Sequence, residues 1–260
     1  MSHSVGAAQI LKSRGYSGPR NEFERILLLA LRGPVVVEAL SDDRIHFTPQ
    51  EWADLVILHL DDGTADGDLM VCLGRLPTLM QRGRAAMKLP PHSQPTEVRK
   101  LQREISALYQ TYQPVLERLR ERWKGVDASV LRNDAYNAVQ KRMLHCHYAR
   151  ILGLGLAVGI AINCALLSLN TSRGSLRDET NCMVDDIMGL EPVLKEYRPL
   201  GGLMMTLCLG AAWVGTADAE MKKRIEALSM DYQRDIDGGE ISVESITQDL
   251  DCHRRQFSLE

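Results

Sequence analysis

The sequence predicts an all-α protein, a multi-helix array wrapped around buried apolar central helices, and three observations carry that reading. Apolar residues from Leu101 to Trp123 recur every three or four positions, the period of one helix face. Aromatic residues make up only 5% of the 260-residue chain, while Leu, Ala, Met and Arg abound, a composition of strong helix formers. No stretch alternates apolar and polar residues as a half-buried strand would; Val35-Val36-Val37 is too short and runs into charge.

Taken in chain order, Asn21-Glu22-Phe23-Glu24 resembles a capping box and opens the run ERILLLALRG, which Gly33-Pro34 is expected to stop. Thr48-Pro49-Gln50-Glu51 opens a second helix. Thr48 can cap, Pro49 suits the first helical position, and Glu51 can reach back to the cap amide. This helix is expected to run through Trp52, Val56 and Leu60. A third begins near Asp68, with a kink expected at Pro77. The prolines of KLPPHSQPT, residues 88–96, mark a connector at which the domain can be subdivided. The long amphipathic helix that follows, with a bend expected at Pro114, carries Lys100, Arg103, Glu104, Glu117, Arg118, Arg120, Glu121 and Arg122 off its apolar stripe. Such mixed charge marks a solvated face. Ser175 opens a helix in which Leu176, Met183, Leu190 and Tyr197 keep seven-residue spacing, and Asp218 caps another containing Met221, Ile225, Leu228 and Tyr232. Residues 1–20 read as an N-terminal segment, 21–236 as the helical domain, and 237–260 as a weakly patterned, loosely attached tail.

Two charge-free runs stand apart: ILGLGLAVGIAINCALLSL, residues 151–169, and PLGGLMMTLCLGAAWVGTA, residues 199–217. Each is long enough to span a bilayer, and Gly155-x-x-x-Gly159 would let two such helices approach closely. Against a membrane hairpin stand Asn163 in the middle of the first run and Pro-Leu-Gly-Gly at the start of the second. The amphipathic helices elsewhere also need something to wrap around, and a helix covered on all sides loses its polar face. The expectation is two core helices.

The stretch EYRPLGGLMMTLCLGAAWVGTADAEMKKRIEALSMDYQRDI resembles the end of the fungal-specific transcription factor domain. That family has an Arg-Pro-Leu-Gly run, an apolar helix finishing in Ala-Trp, and an Asp-x-Glu helix start. The matching residues are Arg198, Pro199, Leu200, Gly201, Ala212, Trp213, Asp218 and Glu220. ILLLALRGPVVVEALSDDRIHFTPQEW and YARILGLGLAVGIAINCALLSL resemble the domain's middle, so the likeness spreads over most of residues 20–236. It implies a soluble helical regulatory domain of the nucleus or cytoplasm, linked to a fungal metabolic pathway and acting through a protein partner or self-association. It also implies that no membrane is involved. Family members carry an N-terminal zinc binuclear cluster of six closely spaced cysteines. Here no cysteine precedes Cys72, and the six are scattered. The DNA-reading cluster is missing, and no direct sequence-specific DNA binding is expected. The basic groups Arg118–Lys124 and Lys222–Arg224 read as helix surface.

The chemistry-bearing residues are few. A net charge of −3 gives no bulk drive toward nucleic acid or anionic lipid. No Cys-x-x-Cys pair, phosphate loop or Gly-x-Ser-x-Gly elbow occurs, and no cofactor or metal is expected. His145 and His147 flank Cys146, but on a helix they point roughly 200° apart and cannot share a metal. Asp185-Asp186 resembles the metal-binding aspartates of terpene cyclases, yet position 189, where a third carboxylate would stand, is Gly. Asp178, Glu179, Asp185 and Asp186 read as one solvated face. Asn163 needs partners in its apolar surroundings, from a neighbouring backbone or beside Thr206 and Cys208 in a ligand pocket. The leading expectation is therefore a transcription-factor-like regulatory or interaction module without its own DNA-binding domain. The alternative is a repurposed helical scaffold that binds a small apolar metabolite and catalyses its cyclisation or rearrangement. Its catalytic candidates are His145, His147 and Asp186, and its ligand-binding candidates are Asn163 and Arg198.

Overall fold

The structure is a computed structural model that describes residues 3–15, 19–57, 64–90, 94–129, 137–169, 174–199 and 202–237, together with Arg254 and Leu259. Leu60, Leu200, Gly201 and Cys252 lie outside the described residues, as does most of the tail. Among the described residues there are helices and no strand: α1 (His3–Arg14), α2 (Glu22–Glu38), α3 (Pro49–Ile57), α4 (Ala65–Met87), α5 (Gln94–Ser129), α6 (Ala138–Ser168), α7 (Gly174–Lys195), α8 (Gly202–Gly215) and α9 (Ala219–Asp237).

Side-chain caps fix most of the helix starts. Asn21 Oδ1 accepts from the Glu24 amide at 2.9 Å. Thr48 and Glu51 close a reciprocal box, at 3.2 Å to the Thr48 hydroxyl and 2.6 Å from the Thr48 amide to the Glu51 carboxylate. Asp218 Oδ1 accepts from Glu220 and Met221. Two further caps have no counterpart among the expectations: Thr64 starts α4 three residues before Asp68's turn, and Asn137 with Gln140 forms the box that opens α6.

The expected stop at Gly33-Pro34 does not occur; α2 continues to Glu38. Pro34 forfeits one backbone hydrogen bond at a cost of about 3 kcal/mol. Val35 and Val36, just beyond it, are fully buried, as are Ala39 and Leu40. Each such side chain contributes about 1.5–3 kcal/mol by leaving water, which outweighs the break. α4 likewise runs through a buried Pro77 to Met87, and α7 runs through Pro192.

α6 is the hub. It packs against α4, α5, α7 and α8, while α9 covers α8, α3 and α2 lie on α4, and α1 lies on α2. By length and composition α6 could cross a membrane, yet 78% of its apolar window is covered by protein. α6 is thus a core helix, and so is α8, whose Met205, Cys208, Leu209, Ala211 and Ala212 are fully buried. The core is continuous from Val5 of α1 to Leu259, which rests over Gly83 of α4. The N-terminal segment and at least one residue of the tail therefore belong to it.

Close approach of α5 and α7 to α6 depends on missing side chains. A Cβ on Gly155 would stand 2.8 Å from Leu119, and one on Gly159 would fall on the Tyr112 hydroxyl and within 2.7 Å of Met183 Sδ. Tyr112 uses that space to donate a 2.8 Å hydrogen bond to the Gly155 carbonyl, deep in the core. Gly189 of α7 meets nothing within 4 Å. Gly159→Ala should therefore destabilise by about 1–3 kcal/mol through overpacking. Gly189→Ala should stabilise by about 0.5–1 kcal/mol through restored helix propensity. Opposite shifts of the urea midpoint check the pair.

Candidate functional site

The structure places the catalytic candidates in three separate contacts. His145 of α6 has Nδ1 2.7 Å from the Tyr197 hydroxyl and its ring 4.9 Å from that of Trp123. Two residues on, His147 points to the other flank, where Nε2 lies 3.0 Å from Asp66 at the start of α4. Asp66 also holds Arg122 at 3.0 Å, and His147 above all keeps the Asp66 carboxyl below its ordinary range. Asp186 of α7 is taken by Arg120 of α5 at 2.7 Å. Catalysis by positioned acid and base requires groups within reach of one substrate atom, and each of these three is engaged by a different partner. Nor are buried thiols poised to attack: burial pushes Cys72 up to about 11 and Cys208 up to about 12. Among the described residues no group of three His, Cys, Asp or Glu side chains converges to hold a metal ion.

Asn163 faces α7. Its amide nitrogen donates to Thr180 Oγ1 and Glu179 Oε2 at 3.2 Å each, with the Leu176 carbonyl at 3.5 Å. Its oxygen accepts nothing among the described residues. Cys208 instead packs against Gly153, nearly three turns away along α6. The partner that sequence reasoning placed on a solvated face is Glu179. Half-buried, it accepts from the Tyr109 hydroxyl at 2.9 Å, from Gln113 and from Asn163, tying α5, α6 and α7 together. A pairing of Asn163 with Glu179, one α-helix apart, leaves no local sequence signal.

Arg198, the second ligand candidate, is a clamp. Its guanidinium bonds Asp231 Oδ2 and the Asp231 carbonyl at 2.6 Å and takes Asp235 through two nitrogens, lying 4.7 Å above the Tyr232 ring. It fastens the α7–α8 connection to α9. Hydrogen bonding to Arg198 holds the Asp235 carboxyl below its ordinary range.

The roomiest spaces described lie elsewhere, beside α3 and α4 and between α4 and α5. Where α2, α4, α6 and α8 meet, the void is about 10 Å³, room for about one water at most. What the structure does leave open is one face of α2. Leu28, Val35 and Val36 face the core, while on the opposite side Phe23 is 75% exposed, Ile26 55% and Leu27 43%. Ala30 and Pro34 extend that stripe at i+7 and i+11 from Phe23. A helix apolar on both faces is ordinarily covered on both. Comparison with family models, characterised proteins and solved structures returned no match.

Asn163→Asp would set a second carboxylate against Glu179. It should destabilise by about 3 kcal/mol or more at neutral pH, with the deficit against the parent shrinking as acid protonates the new carboxyl, read by urea unfolding from pH 7.5 to 5. The Arg198 clamp has its own acid signature. Because the folded state lowers the Asp235 proton affinity, its contribution is full above the unfolded carboxylate value near 4 and is lost as pH falls through the lower folded one. Arg198→Gln should therefore lower stability at pH 7 and reduce the further loss between pH 5 and 2.

Proposed function

We propose that the chain is a transcription-factor-like regulatory or interaction module that works by protein contact, with no zinc cluster of its own among its 260 residues to read DNA. The observation that carries this reading is the bare stripe Phe23, Ile26, Leu27 on a helix whose other face is already in the core. Clustered large apolar side chains on an exposed helix face mark a contact surface. The core around Asn163 supports it too, because the polar groups there bind one another across α6 and α7.

The family-like residues fit the same reading by being architectural. Arg198 clamps α9, Trp213 donates its indole N–H to Glu226 at 2.9 Å beneath the Lys222 ammonium, and Asp218 caps α9. A resemblance built of such residues speaks for a shared scaffold. The module would act in the nucleus or cytoplasm by self-association or by pairing with a regulator of a fungal metabolic pathway. The alternative of a cyclase or isomerase draws no support from His145, His147 and Asp186, which sit in separate contacts.

Each apolar side chain covered by a partner contributes about 1.5–3 kcal/mol. Phe23→Glu/Ile26→Glu should therefore weaken assembly at least a hundredfold, leaving helicity unchanged. Light scattering measures self-association, and capture of a nuclear partner by purified parent and double variant measures pairing. A monomeric parent that captures no such partner, with unchanged transcription on deletion, would overturn the reading.

A further inference from the structure

We propose that the groove between α3 and α4 binds a small, mainly apolar molecule carrying one carboxylate. α3 contributes Pro49, Trp52 and Ala53, one face at i, i+3 and i+4, and α4 contributes Val71, Gly74, Arg75, Thr78, Leu79 and Arg82, one face at helical spacing. Ala53 and Gly74 face the opening with little or no side chain, so the helices pack with a space of about 360 Å³ between them. That volume falls within the range of small-molecule sites, which are mostly apolar with a few placed polar groups. Trp52 supplies a flat wall, braced from behind by Phe47 at 4.6 Å between ring centroids.

The polar groups at the rim select the ligand's charge. Glu104 and Glu97 are both taken by Arg82, at 2.6 and 2.9 Å. Asp68, two turns before Arg75 on α4, is taken by Arg118 at 2.6 Å. Arg75, exposed at the groove, helps by its charge to hold the Glu104 carboxyl below its ordinary range, after Arg82, but forms no ion pair or side-chain hydrogen bond of its own among the described residues. Thr78, one turn further on the same face, offers a hydroxyl that is likewise unengaged among the described residues. An arginine fork beside a hydroxyl, above an apolar floor, suits a carboxylate on an apolar body. No α2 residue lines this site, and none of the residues singled out from sequence for ligand binding belongs to it.

Calorimetric titration of the purified chain with 1-naphthylacetate and with the uncharged 1-naphthylacetamide tests the assignment. The acid should bind at least tenfold more tightly than the amide. Arg75→Gln should abolish that preference while leaving amide binding unchanged, and Ala53→Trp, which fills the groove, should remove both. The Phe23→Glu/Ile26→Glu variant should keep full affinity, so that loss of partner binding and loss of ligand binding are read apart. Circular dichroism confirms that each variant is folded. No saturable acid binding, equal affinity for acid and amide, or an acid preference that survives Arg75→Gln would overturn the proposal.

Discussion

The fold depends on one constraint: α6 has to be approached from several sides at once, by helices that would be kept away if it carried ordinary side chains. Gly153, Gly155 and Gly159 are the places where the neighbours come in, namely Cys208 from α8, Leu119 and Tyr112 from α5, and Met183 from α7. Glycine weakens a helix interior by roughly 0.5–1 kcal/mol per residue. The hub therefore stands only because the contacts it admits are dense. A charge-free run rich in glycine looks like a membrane span by hydropathy, and in this chain the same property suits it to be wrapped by protein.

Apolar packing alone would leave the angular position of α7 on α6 loosely defined, since Leu, Met and Val substitute for one another across such a surface. The polar contacts supply the register. Asn163 reaches Thr180 and Glu179, and Glu179 continues to Tyr109 and Gln113 on α5, so three helices share one network beside the core. Slipping α7 by a residue would strand these groups in a poorly solvated place, at about 1–3 kcal/mol for each unmet partner.

The all-α class and the buried runs were legible because they rest on local periodicity and capping chemistry. Asn21, Thr48 and Asp218 do what their residue types suggest. What was not legible involves residues far apart in sequence. Gly33-Pro34 signals a stop, but the burial of Val35 and Val36 under α4 and its neighbours overrides it. Glu179 reads as one more surface acid until α5 is laid beside α7, 66 to 70 positions away from its partners Gln113 and Tyr109. His145, His147, Asp186 and Arg198 attract attention as chemistry-bearing types. Each turns out to satisfy a neighbouring helix, because a charged or polar side chain between packed helices must find a partner there. Arg75 carried no such signal; what distinguishes it is that Glu97, Glu104 and Asp68 form their ion pairs with other arginines.

The division of labour along the chain follows from these same facts. From α5 to α9 the polar groups are spent on holding helices together, through the Arg120–Asp186 pair, the Arg198 clamp and the Glu179 network. The N-terminal helices keep features turned outward: an apolar face on α2 and an exposed arginine over a groove on α4. α4 connects them. It packs on α2 and α3 to one side and on α5 and α6 to the other, and its Leu73 and Leu76 meet Val37 and Leu40 across a void of only about 10 Å³. A junction with so little free volume transmits displacement, because neither helix can shift without moving the other's side chains. An occupant of the groove and a partner on α2 would thus bear on one rigid element, an arrangement suited to a regulator whose protein contact answers to a small molecule.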